Sequence, residues 1–261
     1  MTGALDNPIV LVHGLFGFQR IGLGSWTLTH YFRGIADALR AQGNRVYAPA
    51  LSPVGKVENR AGQLLEFLKA TVQDEPVHLF SHSMGGLDSR YLITRLEEHR
   101  RVLTLTTLGT PHRGTVIADS GVGLIPGWRW VRYSLRKVGF HPETIEEMTR
   151  EAMVRFNEAT PDSPEVRYWS VAGDFLPQWK SRLALWPHRF LTMPLLQTHE
   201  GPNDGLVSVA SARWGEAEET WKGDHFNLVN WNVFKDDPEG IHQDRVNDYL
   251  RMVGSLKKLG Y

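Results

Sequence analysis

Short runs of apolar and β-branched residues alternate along the chain with longer segments in which apolar residues recur every three or four positions. Five runs have the length and composition of buried strands: PIVLVHG, NRVYAPAL, PVHLFSH, VLTLTTLGTP and VRYWSVAGD. Amphipathic helices are predicted from four segments: LTHYFRGIADALRAQG, ENRAGQLLEFLKATV, MGGLDSRYLITRLEEH and, at the C-terminal end, GIHQDRVNDYLRMVGSLKKLG. This alternation predicts an α/β fold with a mostly parallel central sheet flanked by helices.

The alternation stops over residues 118–164, approximately. There GVGLIPGWRWVRYSLRKVGF, rich in glycine, tryptophan and apolar residues, precedes a helical pattern, ETIEEMTREAMVRFNEA. Such an insertion predicts a cap over the carboxyl edge of the sheet, where folds of this class bind their ligands. A single domain over residues 1–261 with an inserted cap is the simplest interpretation.

Composition and charge exclude several classes of function. Lys plus Arg equals Asp plus Glu at 29 each, so no overall field attracts nucleic acid or an anionic membrane. The 261 residues include no cysteine, which excludes disulfides and thiolate chemistry. The sequence as written has no signal-peptide pattern and no run long enough to span a membrane, so we expect a cytoplasmic protein, or a secreted one if a leader has been removed.

The stretch FSHSMGGLD joins an apolar run to a helical segment. It is close to the G-x-S-x-G turn, which lifts a serine oxygen clear of the sheet at the start of a helix. Small residues are needed two positions before and after the serine because the backbone folds tightly there. Gly85 meets this need, and Ser81 adds one hydroxymethyl group. Ser83 is therefore the candidate nucleophile, and a turn without chemistry is the alternative.

A nucleophilic serine needs a histidine base and an orienting carboxylate, which follow the serine in the order acid, then histidine, in this kind of fold. Asp204 in EGPNDGLVSVAS and His225 in TWKGDHFNLVNW have that order and lie in loops after apolar segments. Asp174, at the end of VRYWSVAGD, is the alternative acid. Other histidines also follow the serine: His188 and His199 precede Asp204, and His242 lies on the predicted final helix.

An oxyanion that forms during acyl transfer needs backbone N–H donors. Met84 follows the serine and supplies one. Leu15, in the glycine-flanked loop of VLVHGLFGF, is the natural second donor. For this loop, an ordinary glycine turn between a strand and a helix is the alternative.

With these residues assembled, the sequence resembles the bacterial triacylglycerol lipases of the Pseudomonas and Burkholderia type, which are α/β-hydrolases. The resemblance rests on motifs in the family's order over most of the chain: IVLVHGLFGF, YFRGIADALRAQGNRVYAPALSP, GQLLEFL, SHSMGGLDSRYL, TLGTPHRGT, VRYWSVAG, NDGLV and DHFNLVN. It implies the α/β-hydrolase fold, ester hydrolysis without a cofactor, and a mobile lid within residues 120–157. It also implies Ser83 as nucleophile, Asp204 as acid, His225 as base, and an oxyanion hole at Leu15 and Met84. His13 matches a position that shapes the oxyanion loop.

The sequence departs from this family at the positions of a calcium site. Those lipases hold calcium through an Asp two residues after the catalytic histidine, a Gln further on, and an Asp before the catalytic acid. Here the first position is Asn227 and the second is Trp231, and no carboxylate lies between Phe175 and Gln197. Calcium requires several hard, preferably charged oxygens. We therefore expect no metal at this place, and expect another contact, such as Trp231 packing, to hold the loop of His225.

The expected function is a serine carboxylic-ester hydrolase, a lipase or esterase, that cleaves acyl esters of glycerol or simple alcohols. The same residues would serve a thioesterase, an acyltransferase or a phospholipid deacylase, and a non-catalytic binding protein is the remaining alternative. The expected partner is a lipid or small ester, with transient contact at a lipid interface and no nucleic acid. Aromatic segments such as FLPQW could line an acyl groove or pack the cap onto the core.

Overall fold

The protein is built on a six-stranded parallel sheet, seen in a computed structural model that describes residues 3–15, 20–23, 26–123, 143–175, 192–231 and 244–261. The strands are β1 Ile9–Val12, β2 Arg20–Leu23, β3 Trp26–His30, β4 Val46–Tyr47, β5 Val77–His82, β6 Val102–Leu108, β7 Arg167–Asp174 and β8 Ala217–Lys222. The sheet order is β4-β1-β5-β6-β7-β8, and every neighbouring pair in it is parallel. Strands β2 and β3 form a separate antiparallel hairpin.

All five strands predicted from apolar runs are present in the main sheet, and the pattern missed β8 there as well as the hairpin strands β2 and β3. The sequence of β8, AEETWK, is mostly polar because it pairs at the edge of the sheet, and Trp221 is its one buried side chain. The helix predicted over LTHYFRGIADALRAQG begins later than expected. Its first residues belong to β3, and the helix starts at Ile35 after Gly34, whose φ is +71°.

Nine α-helices are seen in the described part of the chain. They are α1 Ile35–Ala41, α2 Val57–Thr71, α3 Met84–Arg95, α4 Val116–Gly123, α5 Glu143–Glu146, α6 Arg150–Ala159, α7 Met193–His199, α8 Val209–Ala212 and α9 Val246–Lys258. The helix predicted over ETIEEMTREAMVRFNEA is split because Thr149 starts a new one, its hydroxyl accepting the N–H of Ala152 at 3.3 Å. Within this described part, no helix combines the length and hydrophobicity that crossing a bilayer requires.

Each face of the sheet is covered by helices because successive residues of a strand point to opposite sides. Ile9 and Leu11 pack with Tyr249 and other α9 residues on one face. Val10 and Val12 pack on the other face with apolar residues of α2 and α3. Strand β1 is therefore buried on both sides, as expected for a parallel sheet with two helical layers.

The segment predicted to form the cap is helical where it is described, and residues 124–142 lie outside the described residues. Met153 of α6 is buried in a cluster with Met84 and Leu87 of α3, and Leu15, Met148 and Phe156 pack against that cluster. Helix α6 therefore lies beside the start of α3, at the edge of the sheet where the candidate nucleophile is found. Its role as a cap stays a prediction.

Candidate active site

Ser83 lies in the sharp turn between β5 and α3, which we call the nucleophile turn (residues 81–86). Its backbone has φ +56° and ψ −131°, a strained combination for a residue with a side chain. The turn is held by the Ser83 N–H, which donates to the Leu108 carbonyl at 2.8 Å, and by the Thr110 hydroxyl, which donates to the Ser83 carbonyl at 2.7 Å. The sequence prediction of a strand, a turn and a helix around Ser83 matches this geometry.

Two glycines allow the nucleophile turn to contact the end of β1. A Cβ on Gly85 would lie 2.8 Å from the carbonyl oxygens of both Val12 and His13, closer than such atoms can approach. A Cβ on Gly14 would lie 2.6 Å from Ser83 Cβ and 3.2 Å from its Oγ. The loop that contains Leu15 therefore crosses directly against Ser83.

Ser81 replaces the first glycine of the G-x-S-x-G pattern, and its hydroxyl has a partner. It lies 2.8 Å from Ser89 Oγ, and the Ser89 hydroxyl donates to the Gly85 carbonyl at 2.9 Å. Since the Ser89 proton is used in that bond, Ser81 donates to Ser89. The extra hydroxyl therefore links β5 to the first turn of α3, which the sequence pattern did not indicate.

Asp204 and His225 are brought together by the loops after β7 and β8. His225 Nδ1 lies 2.7 Å from Asp204 Oδ2, and both side chains are almost fully buried. The other carboxylate oxygen, Oδ1, accepts the N–H groups of Leu206 at 3.0 Å and Val207 at 2.8 Å. The backbone N–H of His225 also donates to the Asp204 carbonyl at 2.9 Å. Asp204 is therefore fixed as an acceptor for the Nδ1 proton of His225.

Residue 109, at the end of β6, joins this pair to the nucleophile turn. It follows Leu108, whose carbonyl accepts the Ser83 N–H. A Cβ on Gly109 would lie 3.0 Å from Asp204 Oδ2 and 3.1 Å from His225 Nδ1. The carboxylate and the imidazole therefore pack against the backbone segment that also anchors Ser83.

His82 connects the Leu15 loop with the His225 loop (residues 223–231). Its Nε2 lies 2.9 Å from the His225 carbonyl, so Nε2 carries the proton, and Nδ1 accepts the Tyr31 hydroxyl at 2.7 Å. Tyr31 Oη in turn accepts the Gly14 N–H at 3.2 Å. Burial, with the charge of His225 as a second cause, lowers the pKa of His82 well below its usual value, so the ring stays neutral. Sequence reasoning missed His82 and Tyr31 because nothing in their local pattern marks a bridge across 51 residues.

The candidate oxyanion residues Leu15 and Met84 lie on the two segments that meet at Ser83. Met84 is the first residue of α3, where backbone N–H groups have no partner within the helix. His13, two residues before Leu15, is hydrogen-bonded to two other segments of the chain. Its Nε2 accepts the Leu51 N–H at 3.0 Å, and its carbonyl accepts a hydrogen bond from Arg60 Nη2 at 2.6 Å. Burial lowers the pKa of His13 to about 4, so it is neutral. These contacts support a structural role for His13.

The alternative site residues are placed elsewhere or lie outside the described residues. Asp174 ends β7, and its Oδ1 is buried without a hydrogen-bond partner among the described residues. His199 is exposed at the end of α7. His188 and His242 lie outside the described residues. In the described part of the chain, Asp204 is therefore the carboxylate that contacts His225.

Comparisons with known proteins show which family and which relatives the chain is similar to. The model of the alpha/beta hydrolase family matches residues 9–254. Triacylglycerol lipase 2 of Saccharomyces cerevisiae is 31% identical over 98% of this chain and 92% of its own length. A triacylglycerol lipase of Pseudomonas fragi is 38% identical over 46% of this chain and 40% of its own.

Solved structures share the fold. The mature form of Bacillus licheniformis lipase BlEst2 matches with a TM-score of 0.71 and 24% identity, covering 95% of this chain and 91% of that one. Together with the family model and the relatives, this match confirms the predicted fold class and the resemblance to bacterial lipases.

Proposed function

Since the chain belongs to the alpha/beta hydrolase family, we propose that it is a serine hydrolase that cleaves carboxylic esters, as a lipase or esterase. The observation that carries the proposal is the 2.7 Å hydrogen bond from His225 to the buried Asp204, next to the strained turn of Ser83. The names of the relatives, triacylglycerol lipases, support carboxylic esters as the substrate class.

Asp204 sets the tautomer of His225 in the proposed reaction. Because its Oδ2 accepts a hydrogen bond from Nδ1–H, the lone pair of the imidazole is on Nε2, ready to take the hydroxyl proton of Ser83. Ser83 Oγ then attacks the ester carbonyl, and the imidazolium delivers its proton to the departing alcohol. Water repeats these steps on the acyl-enzyme and releases the carboxylic acid. None of these steps requires a cofactor.

The negative charge of the tetrahedral intermediate develops next to the backbone of Leu15 and Met84. Their N–H groups are the proposed donors, each contributing on the order of 3 kcal/mol to lowering the barrier in comparable enzymes. Support comes from the tight contact between Gly14 and Ser83, which brings the Leu15 loop beside the nucleophile. Helix α3 adds the favourable potential of its N-terminus.

The substrate's acyl chain is proposed to lie along the apolar side chains near Leu15. Leu15, Met148 and Phe156 are half-buried and pack against the cluster of Met84 and Met153. A surface of this kind, beside the proposed oxyanion donors, suits a hydrocarbon chain. Medium to long acyl chains are therefore the expected preference.

The proposal is tested by hydrolysis of p-nitrophenyl esters with acyl chains from acetyl to palmitoyl. Ser83→Ala should lower kcat by about a million-fold, while the exposed Ser255→Ala should leave it unchanged. A fluorophosphonate should add covalently to the parent protein at Ser83 and fail to add to the Ser83→Ala variant. Near-parent activity of Ser83→Ala would contradict the mechanism. Faster turnover of thioesters, or transfer to added alcohols, would favour the thioesterase or acyltransferase alternative.

A further inference from the structure

The His225 loop begins directly after β8, and both of its ends contact Arg245. Arg245 immediately precedes α9 and is 2% exposed. At the start of the loop, its Nη2 donates to the Lys222 carbonyl. Near the end of the loop, the backbone N–H of Arg245 donates to Asn230 Oδ1 at 2.9 Å. One buried residue therefore forms hydrogen bonds at both ends of the loop that carries His225.

The same guanidinium also bonds inside the loop. Arg245 Nε donates to Asn227 Oδ1 at 2.9 Å, and Asn227 is two residues after His225. A Cβ on Gly223 would lie 2.7 Å from Arg245 Nη2 and 2.5 Å from Asn227 Oδ1. The cation is therefore in close contact with the loop backbone, with no room for a side chain between them.

The charge of Arg245 has partners beyond the loop. Its Nη1 donates to Asp248 Oδ2 at 3.0 Å, one turn along α9, and its Cζ lies 5.1 Å from the centre of the Trp221 ring. A planar guanidinium can satisfy several acceptors in fixed directions at once, which a lysine ammonium cannot do in the same way. The arrangement links β8, the His225 loop and α9 through one side chain.

These residues do not fit the calcium ion that the lipase resemblance implies. Calcium takes six to eight oxygen ligands, several of them usually charged. Asn227 offers one neutral side-chain oxygen, and that oxygen already accepts a hydrogen bond from Arg245 Nε. Trp231, at the other implied position, donates its indole N–H to the Tyr31 carbonyl at 2.7 Å. A buried guanidinium this close would also repel a divalent cation.

We infer that Arg245 is the cation that holds the His225 loop, in place of a bound metal ion, and that it positions His225 for proton transfer. The inference rests on the proposed role of His225 and adds the residue that keeps it in place. Arg245 bonds the loop at Asn227, two residues after His225, whereas the His225 ring is bonded separately to Asp204. Losing the first contact frees the loop to shift while leaving Asp204 and Ser83 intact.

The test compares Arg245→Ala and Arg245→Lys with Arg251→Ala. Arg251 is a matched control because it is an arginine within α9, six residues after Arg245, that is half-exposed and pairs with Glu219 at 2.7 and 2.8 Å outside the loop. With a water-soluble ester, Arg245→Ala should lower kcat by about ten- to a hundred-fold with little change in KM, the size expected when a catalytic group is misplaced by about 1 Å. Arg245→Lys should recover part of the loss, and Arg251→Ala should keep parent kinetics.

Added guanidinium at millimolar concentration should restore part of the kcat of Arg245→Ala and have no effect on the parent or on Arg251→Ala. Parent-like kcat in Arg245→Ala would overturn the inference. If Arg245→Ala does not fold, Asn227→Leu removes the acceptor while leaving Arg245 its bonds to Lys222 and Asp248. That variant should also lose kcat, and unchanged kcat would equally overturn the inference.

Whether the protein depends on calcium is tested by its melting temperature as well as by its activity. Neither EDTA nor added calcium should change the activity or the melting temperature of the parent. The melting temperature of Ser83→Ala should likewise not change with EDTA or calcium. Loss of activity or stability with EDTA that calcium restores would overturn the inference. The melting data do not depend on turnover, so a failure of the proposed ester hydrolysis is distinguishable from a failure of the role of Arg245.

Discussion

The nucleophile turn and the His225 loop lie side by side, but different forces hold them. The turn is fixed by backbone contact: Gly85 and Gly14 let the strand-to-helix turn touch the end of β1. The His225 loop is fixed by polar side chains from distant parts of the chain, chiefly Asp204 and Arg245. The first region thus depends on the absence of side chains, and the second on their hydrogen bonds. Substitutions should therefore damage the two regions in different ways.

Among the substitutions that test this contrast, the largest effect is expected from Asp204→Asn in the polar region. The asparagine oxygen can still accept the N–H groups of Leu206 and Val207, so the loop should fold. Its NH₂ group, however, faces His225 Nδ1 and favours the tautomer with the proton on Nε2, which cannot take a proton from Ser83. We expect kcat to fall by about ten-thousand-fold with a nearly unchanged melting temperature.

Asp174→Asn is the control for that prediction because Asp174 is the other carboxylate that the sequence offered as acid. It makes no hydrogen bond through Oδ1 in the described part of the chain, and its substitution should leave kcat close to the parent value. The reverse result, a large loss in Asp174→Asn and a small one in Asp204→Asn, would exchange the two roles.

The next effect is on stability, from Gly85→Ala in the steric region. The new Cβ would lie 2.8 Å from two backbone carbonyl oxygens, which cannot swing away as a side chain can. The expected cost is about 3 kcal/mol of unfolding free energy, measured by urea denaturation. Gly62→Ala in the middle of α2 meets nothing within 4 Å and should instead stabilise the protein by about 0.5 to 1 kcal/mol. Equal effects of the two substitutions would show that close packing at Gly85 is not what holds the turn.

The same contrast explains how much the sequence could predict. The nucleophile turn was predictable because glycines and a serine at fixed spacing encode it locally, between an apolar strand and a helix. Asp204 and His225 were predictable from chain order and turn context, although their 2.7 Å contact depends on the folded loops. Arg245 and Tyr31 were not predictable, since their contacts cross 18 and 51 residues to Asn227 and His82 and no local pattern marks them. Strand β8 was missed because only Trp221 in it is buried.

The smallest expected effect comes from substitutions of Ser81. This residue contributes both to the close packing of the nucleophile turn and to its hydrogen bonds. Its side chain fits where the G-x-S-x-G pattern has glycine, and its hydroxyl donates to Ser89, which bonds the Gly85 carbonyl. Ser81→Ala removes one buried hydrogen bond and should cost about 1 kcal/mol of unfolding free energy, with turnover within a few-fold of the parent. Ser81→Gly should also keep turnover within a few-fold. Ser89→Ala removes both bonds and should cost more than Ser81→Ala. If either Ser81 variant changed turnover a hundred-fold, the hydroxyl would act on the reaction and not only on the link between β5 and α3.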